Sequence, residues 1–320
     1  MNSNRWMRAA FGAVLMVAAG SALALDQAKI MIPAGPGGGF DQTGRNLAVA
    51  MQAAGSIKSA QFENKGGAGG AIGLAQFVNT SKGDPSAIFV SGFVTVGATA
   101  MNKSPVTLAN VTPLARLTAE ADAIVVPANS PYKTMKDLVA AMKANIGSVA
   151  FAGGSAGGVD HILAALVAKD AGLDPAKVNY VPFTSGAEAI AAVLGGSVAA
   201  GVSGYGEFAQ HIKSGRVRAL ATSGPARVTG SDIPTLKEQG INVELVNWRG
   251  LFGAPGITPA QTKELIAAIE AGVANAKWKE TLEKLDWAPY YLAGDAFKSF
   301  VDAEQARAQG VLDSLGLIKK

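Results

Sequence analysis

The feature that most constrains this chain is a glycine-rich turn set between a strand and a helix. Its sharpest instance is Ala34–Arg45, AGPGGGFDQTGR, which follows the apolar run Ile30–Pro33 and precedes a helix-like stretch, Asn46–Ala54. Consecutive glycines let neighbouring backbone N–H groups point into one concavity, and a helix N-terminus adds positive partial charge, so such a turn is a natural anion site. The turn has no Lys or Arg of its own; the nearest cations are Lys29 and Arg45 on either side. An anion here is therefore expected to be held by backbone N–H and hydroxyl groups. Neither common phosphate motif fits. Gly39 is followed by Phe40 and Asp41 rather than Lys-Ser/Thr, and Phe40 stands where the third glycine of a dinucleotide fingerprint belongs. Taken alone, the turn reads better as a tight connection between strand and helix.

The pattern recurs. Lys65–Gly73 is a second glycine turn, followed by a helical stretch at Ala71–Val78. Val149–Phe151 leads into a third, Gly153–Gly158, and a helix over Val159–Ala171. Ile88–Val90 reads as a buried strand ending at Ser91-Gly92. Ile124–Pro127 is another, and Ala199–Ser203 ends at Gly204-Tyr205-Gly206. Thr134/Asp137 and Ser185/Glu188 have capping-box spacing, and Thr258-Pro259-Ala260-Gln261 combines a cap with a proline at the first helical position. Strands alternating with helices predict an α/β protein with mostly parallel sheets, which bind ligands at the carboxyl ends of their strands. Several such turns, spread over both halves of the chain, point to a ligand between two lobes.

Residues 1–24 read as a signal peptide. Arg5 and Arg8 form a basic start, Ala9–Ala19 an apolar core, and Ala22-Leu23-Ala24 a cleavage pattern, giving a mature chain from Leu25. The apolar run is short for a membrane span. There is no cysteine, hence no lipobox and no disulfide framework, and export to a bacterial periplasm is the compartment expected. The formal charge of +4 contains no long basic run, which gives nucleic-acid binding no support. Catalysis and metals find equally little. Two histidines and no cysteine leave no ligand cluster, and Gly201-Val202-Ser203-Gly204 lacks the spacing of a nucleophile elbow. No cofactor and no catalytic residue is expected. Glu120 and Asp122 stand close enough for a carboxylate pair, but a solvated loop explains them better.

In their order and spacing these pieces resemble the periplasmic substrate-binding proteins of tripartite tricarboxylate transporters, the Bug-type receptors. The resemblance spans the mature chain. It rests on Pro33–Asp41 with Arg45, Glu63–Gly70, Ser130–Thr134, Gly153–Gly158 with His161, Val181–Phe183, Leu194–Gly196, and Trp248 with Ala254–Pro259. The Gly-Pro-Gly-Gly-Gly-Phe-Asp-Gln-Thr-Gly-Arg form is closest to the tricarboxylate-binding branch. The resemblance implies a two-lobed periplasmic-binding-protein fold of type II-like topology, with the ligand cleft between the lobes. Residues 25–124 plus 249–320 would form lobe one and 125–248 lobe two. It implies a monomeric receptor for a small organic carboxylate, with citrate leading, that serves membrane permease subunits. A sensor kinase is the alternative partner, and an exported enzyme acting on an organic acid or a receptor for a dicarboxylate or aromatic acid the alternative function.

Matched by motif, Gly37, Gly38, Gly39, Phe40 and Asp41 would contact ligand from lobe one, with Gly69 and Ser91 nearby. Ser155, Gly157, Gly158, Ser185 and Gly186 would do so from lobe two, with Ser203 and Tyr205 on the wall. Two departures bear on selectivity. Many relatives have Tyr-Lys-Gly-Gly where this chain has Phe183-Thr184-Ser185-Gly186, and many have an acidic residue near the end of the strand that here reads Ala199–Ser203. Asp41 reads first as a helix cap and second as a group that orders a water or accepts from a ligand hydroxyl. Arg45, His161 and Trp248 read as structural.

Overall fold

The computed structural model describes residues 25–184 and 186–318; residues 1–24, expected as a signal peptide, and Ser185 lie outside the described residues. Ten strands and ten α-helices form an α/β architecture around a sheet of order β2-β1-β3-β9-β4-β7-β5-β6. Strands β1 (Leu25–Ile32), β2 (Ile57–Asn64) and β3 (Ala87–Gly92) are parallel. Against β3 runs antiparallel β9 (Val246–Gly253), which in turn pairs with β4 (Thr112–Pro127).

The 16-residue strand β4 divides the molecule. Its first part, Thr112–Ala121, pairs with β9, and Ala115–Ala119 also with β10 (Ala288–Ala293). From Asp122 onward it pairs with β7 (Ala200–Gly204) and β8 (Val217–Thr222). Beyond β7 lie β5 (Phe151–Gly153) and β6 (Tyr180–Pro182), parallel to it and to each other. The first half-sheet carries helices α1 (Gly39–Ala53), α2 (Ala71–Thr80), α3 (Phe93–Met101), α8 (Pro259–Ala274), α9 (Ala276–Leu285) and α10 (Gly294–Ser314). The second carries α4 (Met135–Ala144), α5 (Val159–Asp170), α6 (Gly186–Leu194) and α7 (Tyr205–Lys213).

Local sequence explains the helix starts. Thr134 and Asp137 form a reciprocal capping box at α4, and Thr258 and Gln261 another at α8, with Pro259 at the first position. The α1 helix begins at Gly39, inside the glycine turn and well before the expected Asn46, because its cap is the backbone of Gly38 and not a side chain. The larger difference is β4. Only its last four residues were expected as strand. Glu120 and Asp122 are not on a solvated loop: they are 3 % and 0 % exposed within β4.

Trp248, Phe252, Phe297 and Phe93 are buried in a core that runs from β3 and β9 to α10 and across to α5. The Trp248 indole N–H donates to Glu304 at 2.9 Å, and its ring meets Phe300 edge-on at 5.2 Å. Among the described residues no helix is long and apolar enough to cross a membrane.

Candidate functional site

Two glycine turns on opposite halves of the sheet share one backbone design. Gly37 has φ +84° and Gly157 φ +79°, a region that favours glycine. Each is followed by an extended cap, Gly38 (φ −78°, ψ 173°) before α1 and Gly158 (φ −74°, ψ 179°) before α5. In each, the positive-φ glycine donates its N–H to the side chain four residues on. Gly37 donates to Asp41 Oδ2 at 3.0 Å and Gly157 to His161 Nδ1 at 3.0 Å.

These side chains hold the turns. Asp41 is buried and also accepts from Arg45 Nε at 2.8 Å and Asn64 Nδ2 at 2.9 Å. Burial pushes its carboxyl up, but the hydrogen bonds from Gly37, Asn64 and Arg45 outweigh burial and leave it below the ordinary carboxylate range. Burial lowers His161 to about 4, so its imidazole is neutral and free to accept. Its ring stacks on Tyr180 with centroids 4.4 Å apart, and the Tyr180 hydroxyl donates to the Gly154 carbonyl at 2.8 Å.

Between the turns lies a cleft. Its lining includes Gly38, Gly39, Phe40 and Gly69 from the first half and Gly154, Ser155, Gly186 and Ser203 from the second. Thus seven of the expected contact residues, namely Gly38, Gly39, Phe40, Gly69, Ser155, Gly186 and Ser203, converge on one space. Others sit behind it. Gly37 and Asp41 shape the first turn. Gly157 and Gly158 shape the third, where they pack against Met101 and Val94 respectively. Ser91 is fully buried at the end of β3, and Tyr205 is half-buried beside the smaller core of the second half.

The floor differs from expectation more sharply, because it is charged. Side chains alternate across a strand. On β9, Asn247 and Arg249 therefore face the cleft while Trp248 faces the core. Arg249 is 3 % exposed and forms an ion pair with Glu120 of β4. Glu120 also accepts from the Trp287 indole N–H at 2.8 Å, and the Arg249 guanidinium lies 4.9 Å from the Trp287 ring centre. The guanidinium abuts Gly39 so closely that a Cβ there would overlap it. Arg249 Nη1 and Asn247 Oδ1 are buried without a hydrogen-bond partner among the described residues. A cation thus stands at the first glycine turn, supplied by a residue more than 200 positions away in sequence.

Acidic groups form the rest of the floor and the facing wall. Asp160, in the first turn of α5, accepts from the Gly154 N–H at 2.5 Å. Burial, with Glu207 and Glu120 nearby, raises it to about 7 against the pull of that N–H. Glu207, in the first turn of α7, accepts from the Ser203 hydroxyl at 2.8 Å. Burial first, then the negative charge of Glu120, pushes it up, while Arg249, Ser203 and the Gly39 N–H favour its ionised form. Asp122, behind them, is raised well above the usual range, chiefly by burial and then by Asp160. Sequence reasoning missed Asp160, Glu207, Asn247 and Arg249. The available signal was polar alternation within apolar strands, Ala119-Glu120-Ala121-Asp122-Ala123 and Val246-Asn247-Trp248-Arg249-Gly250.

A second pocket, lined by residues including Lys29, Gln61, Glu63 and Phe77, lies elsewhere, on the first half-sheet, and gathers no comparable set of buried polar groups. Among the described residues no cluster of three or more His, Cys, Asp or Glu is placed to hold a metal.

The model of the tripartite tricarboxylate transporter family receptor matches residues 49–317. Protein BugT of Bordetella pertussis is 26% identical over 293 residues, covering 90% of this chain and 89% of that protein. The solved structure of the periplasmic binding protein BugD superposes with a TM-score of 0.83 at 24% identity, covering 92% of this chain and 99% of that one. MatC from Rhodopseudomonas palustris, solved with bound malate, superposes with a TM-score of 0.79 at 21% identity over 90% of this chain and 99% of that one. Family and structural neighbours are substrate-binding receptors rather than enzymes, and the two-lobed fold with its cleft is theirs. The chain belongs to the tripartite tricarboxylate transporter receptor family.

Proposed function

We propose that this protein is a periplasmic receptor that captures a small carboxylate, a tricarboxylate such as citrate, and delivers it to the membrane permease subunits of a tripartite tricarboxylate transporter. The carrying observation is the first glycine turn with Arg249 against it. Gly38, Gly39 and Phe40 at the start of α1 line the same cleft as Arg249, whose Nη1 has no partner among the described residues. A carboxylate entering there exchanges water for fixed donors, and charge-assisted hydrogen bonds are stronger than neutral ones. Gly69, Ser155, Gly186 and Ser203 complete the enclosure. A structural neighbour, MatC, holds malate, a small hydroxydicarboxylate, which supports the ligand class.

In this reading residues 1–24 are the export signal. Residues 25–124 plus 249–320 move as lobe one against 125–248, and closure about the ligand is a hinge motion. The working unit is a monomer whose closed surface is read by the permease. A sensor kinase ectodomain is the other candidate reader, and a pull-down with each separates them.

A thermal-shift screen of residues 25–320 against organic acids tests the reading. A ligand at ~100 times its dissociation constant adds roughly 2.7 kcal/mol. A strong shift with citrate and none with simple monocarboxylates supports the tricarboxylate receptor. No shift with any di- or tricarboxylate, from protein freed of carried-over ligand, overturns it.

A further inference from the structure

The cleft is chemically lopsided. Its donor side consists of the α1 turn, whose Gly39 N–H already meets Glu207, and of Arg249, one amine of which is committed to Glu120 while the other has no partner among the described residues. Its opposite side presents two carboxyl groups, Glu207 and Asp160, on different helices. A ligand that offered only acceptors would satisfy the first side and bring like charge, or unpaired lone pairs, against the second.

We propose that Glu207 is a specificity residue, and that its carboxylate accepts a hydrogen bond from a donor group on the ligand, a hydroxyl or an ammonium carried by the same molecule whose carboxylate meets Arg249. The inference rests on the receptor reading above and narrows its ligand to donor-bearing carboxylates.

Three observations place Glu207 in this role. It lines the cleft itself, rather than standing behind it as Asp41 does. The Ser203 hydroxyl fixes its carboxylate at 2.8 Å, and Gly186 leaves room for it: a Cβ at Gly186 would overlap the Glu207 carboxylate. Burial and then Glu120 push its carboxyl up, and Arg249, the Ser203 hydroxyl and the Gly39 N–H are the groups that favour its charge. Asn247, whose Oδ1 is also buried and unpartnered in the lining, adds a second acceptor for the same donor. A site built to hydrogen-bond a ligand O–H or N–H rejects the analogue that lacks it, because its own buried polar groups are then left unpaired. A site that places fixed charges against the wrong ligand discriminates by repulsion as well.

The test is calorimetric titration of residues 25–320 with matched acids: citrate against tricarballylate, malate against succinate, and aspartate against succinate. The donor-bearing member of at least one pair should bind tenfold or more tightly than its plain partner. Preference within the citrate or malate pair identifies a hydroxyl, and preference for aspartate an ammonium. Glu207→Gln keeps the size and supplies an amide donor, and should shrink that ratio to about threefold or less by admitting the plain acid. Ser203→Ala, which frees the carboxylate without removing it, should weaken the preference less than Glu207→Gln does. Plain acids that bind as tightly as their partners, or a preference that survives Glu207→Gln unchanged, overturn the proposal while leaving the receptor reading intact. If none of these acids binds the wild-type protein, both fail. Should Glu207→Gln not fold, judged by its unfolding transition, Ser203→Ala decides alone, and an unchanged ratio there overturns the assignment.

Discussion

Arg249 of β9 and Glu120 of β4 form a buried ion pair that joins neighbouring antiparallel strands at the floor of the cleft. Both side chains are nearly inaccessible to water, at 3% and 1% exposed. Removing one partner of such a pair leaves an uncompensated buried charge, which costs about 3–5 kcal/mol. Arg249→Met should therefore lower the unfolding free energy measured by urea titration by that amount and abolish carboxylate binding. A double variant, Glu120→Gln with Arg249→Met, should recover part of the stability and none of the binding. A loss under ~1 kcal/mol for the single change would show that the pair is not the anchor described.

Gly97 sits in α3 where a Cβ would overlap the carbonyl oxygen of Gly157 in the third glycine turn. The two belong to opposite sides of the cleft. Alanine is the better helix former by about 1 kcal/mol, so Gly97→Ala should not unfold α3. It should hold the sides apart instead. Ligand affinity is expected to fall at least tenfold with the melting temperature of the free protein little changed. An undiminished affinity in calorimetry would remove this contact from any account of closure.

Neighbouring Asp160 and His161 should impose opposite pH slopes on the stability of the free protein. Asp160 is raised to about 7, so its stabilising neutral form is fully present below the ordinary carboxylate pKa, and stability falls as pH rises from there towards 7. His161 is lowered to about 4, so the unfolded chain takes up the proton first, and stability rises with pH between about 4 and the ordinary 6.5. Asp122 and Glu207 are raised as well, so wild-type stability should fall from pH 4 to 6.5, with His161 opposing the fall. Asp160→Asn, whose amide oxygen can still accept from Gly154, should make that fall shallower, and His161→Gln should make it steeper. Parallel curves for all three proteins in pH-dependent denaturation would contradict this.

Asp41 gives the acid limit of the first turn. Its carboxyl lies below the ordinary range, so its contribution is present above the unfolded value of about 3.9 and lost as pH falls through the lower folded value. Asp41→Ala strands the Gly37 N–H, Asn64 and Arg45, and should cost about 1–3 kcal/mol at pH 7. The deficit should narrow as pH falls from the unfolded value through the lower folded one, where the wild-type carboxyl takes up its proton. Guanidinium titrations at pH 7 and pH 3 measure both.

The sequence showed the parts of the fold whose causes are local. Glycine turns, capping boxes at Thr134 and Thr258, and short apolar strands depend on neighbours within a few residues. The start of α1 was hidden because Gly38 caps it through the backbone alone. Most of β4 was hidden because Thr112–Ala123 is rich in alanine and contains Pro113, Arg116, Glu120 and Asp122, a composition that reads as loop. Those polar groups are tolerable in a strand only because distant residues meet them: Arg249 for Glu120, and the Tyr290 carbonyl and ring for Arg116. The same distance concealed half of the cleft. The glycines were visible as motifs, whereas Arg249, Asp160 and Glu207 acquire their roles only from the side chains that folding brings beside them.

Because β4 belongs to both half-sheets, the molecule is indivisible. A chain cut between the halves would leave each fragment with a bare row of backbone N–H and C=O groups where its neighbouring strand had been, and unpaired edges of that kind recruit other chains. Fragments expressed separately should aggregate rather than reassociate into a receptor, and a linker inserted within β4 should be tolerated at neither end of Ala121-Asp122, where the strand exchanges one set of partners for the other.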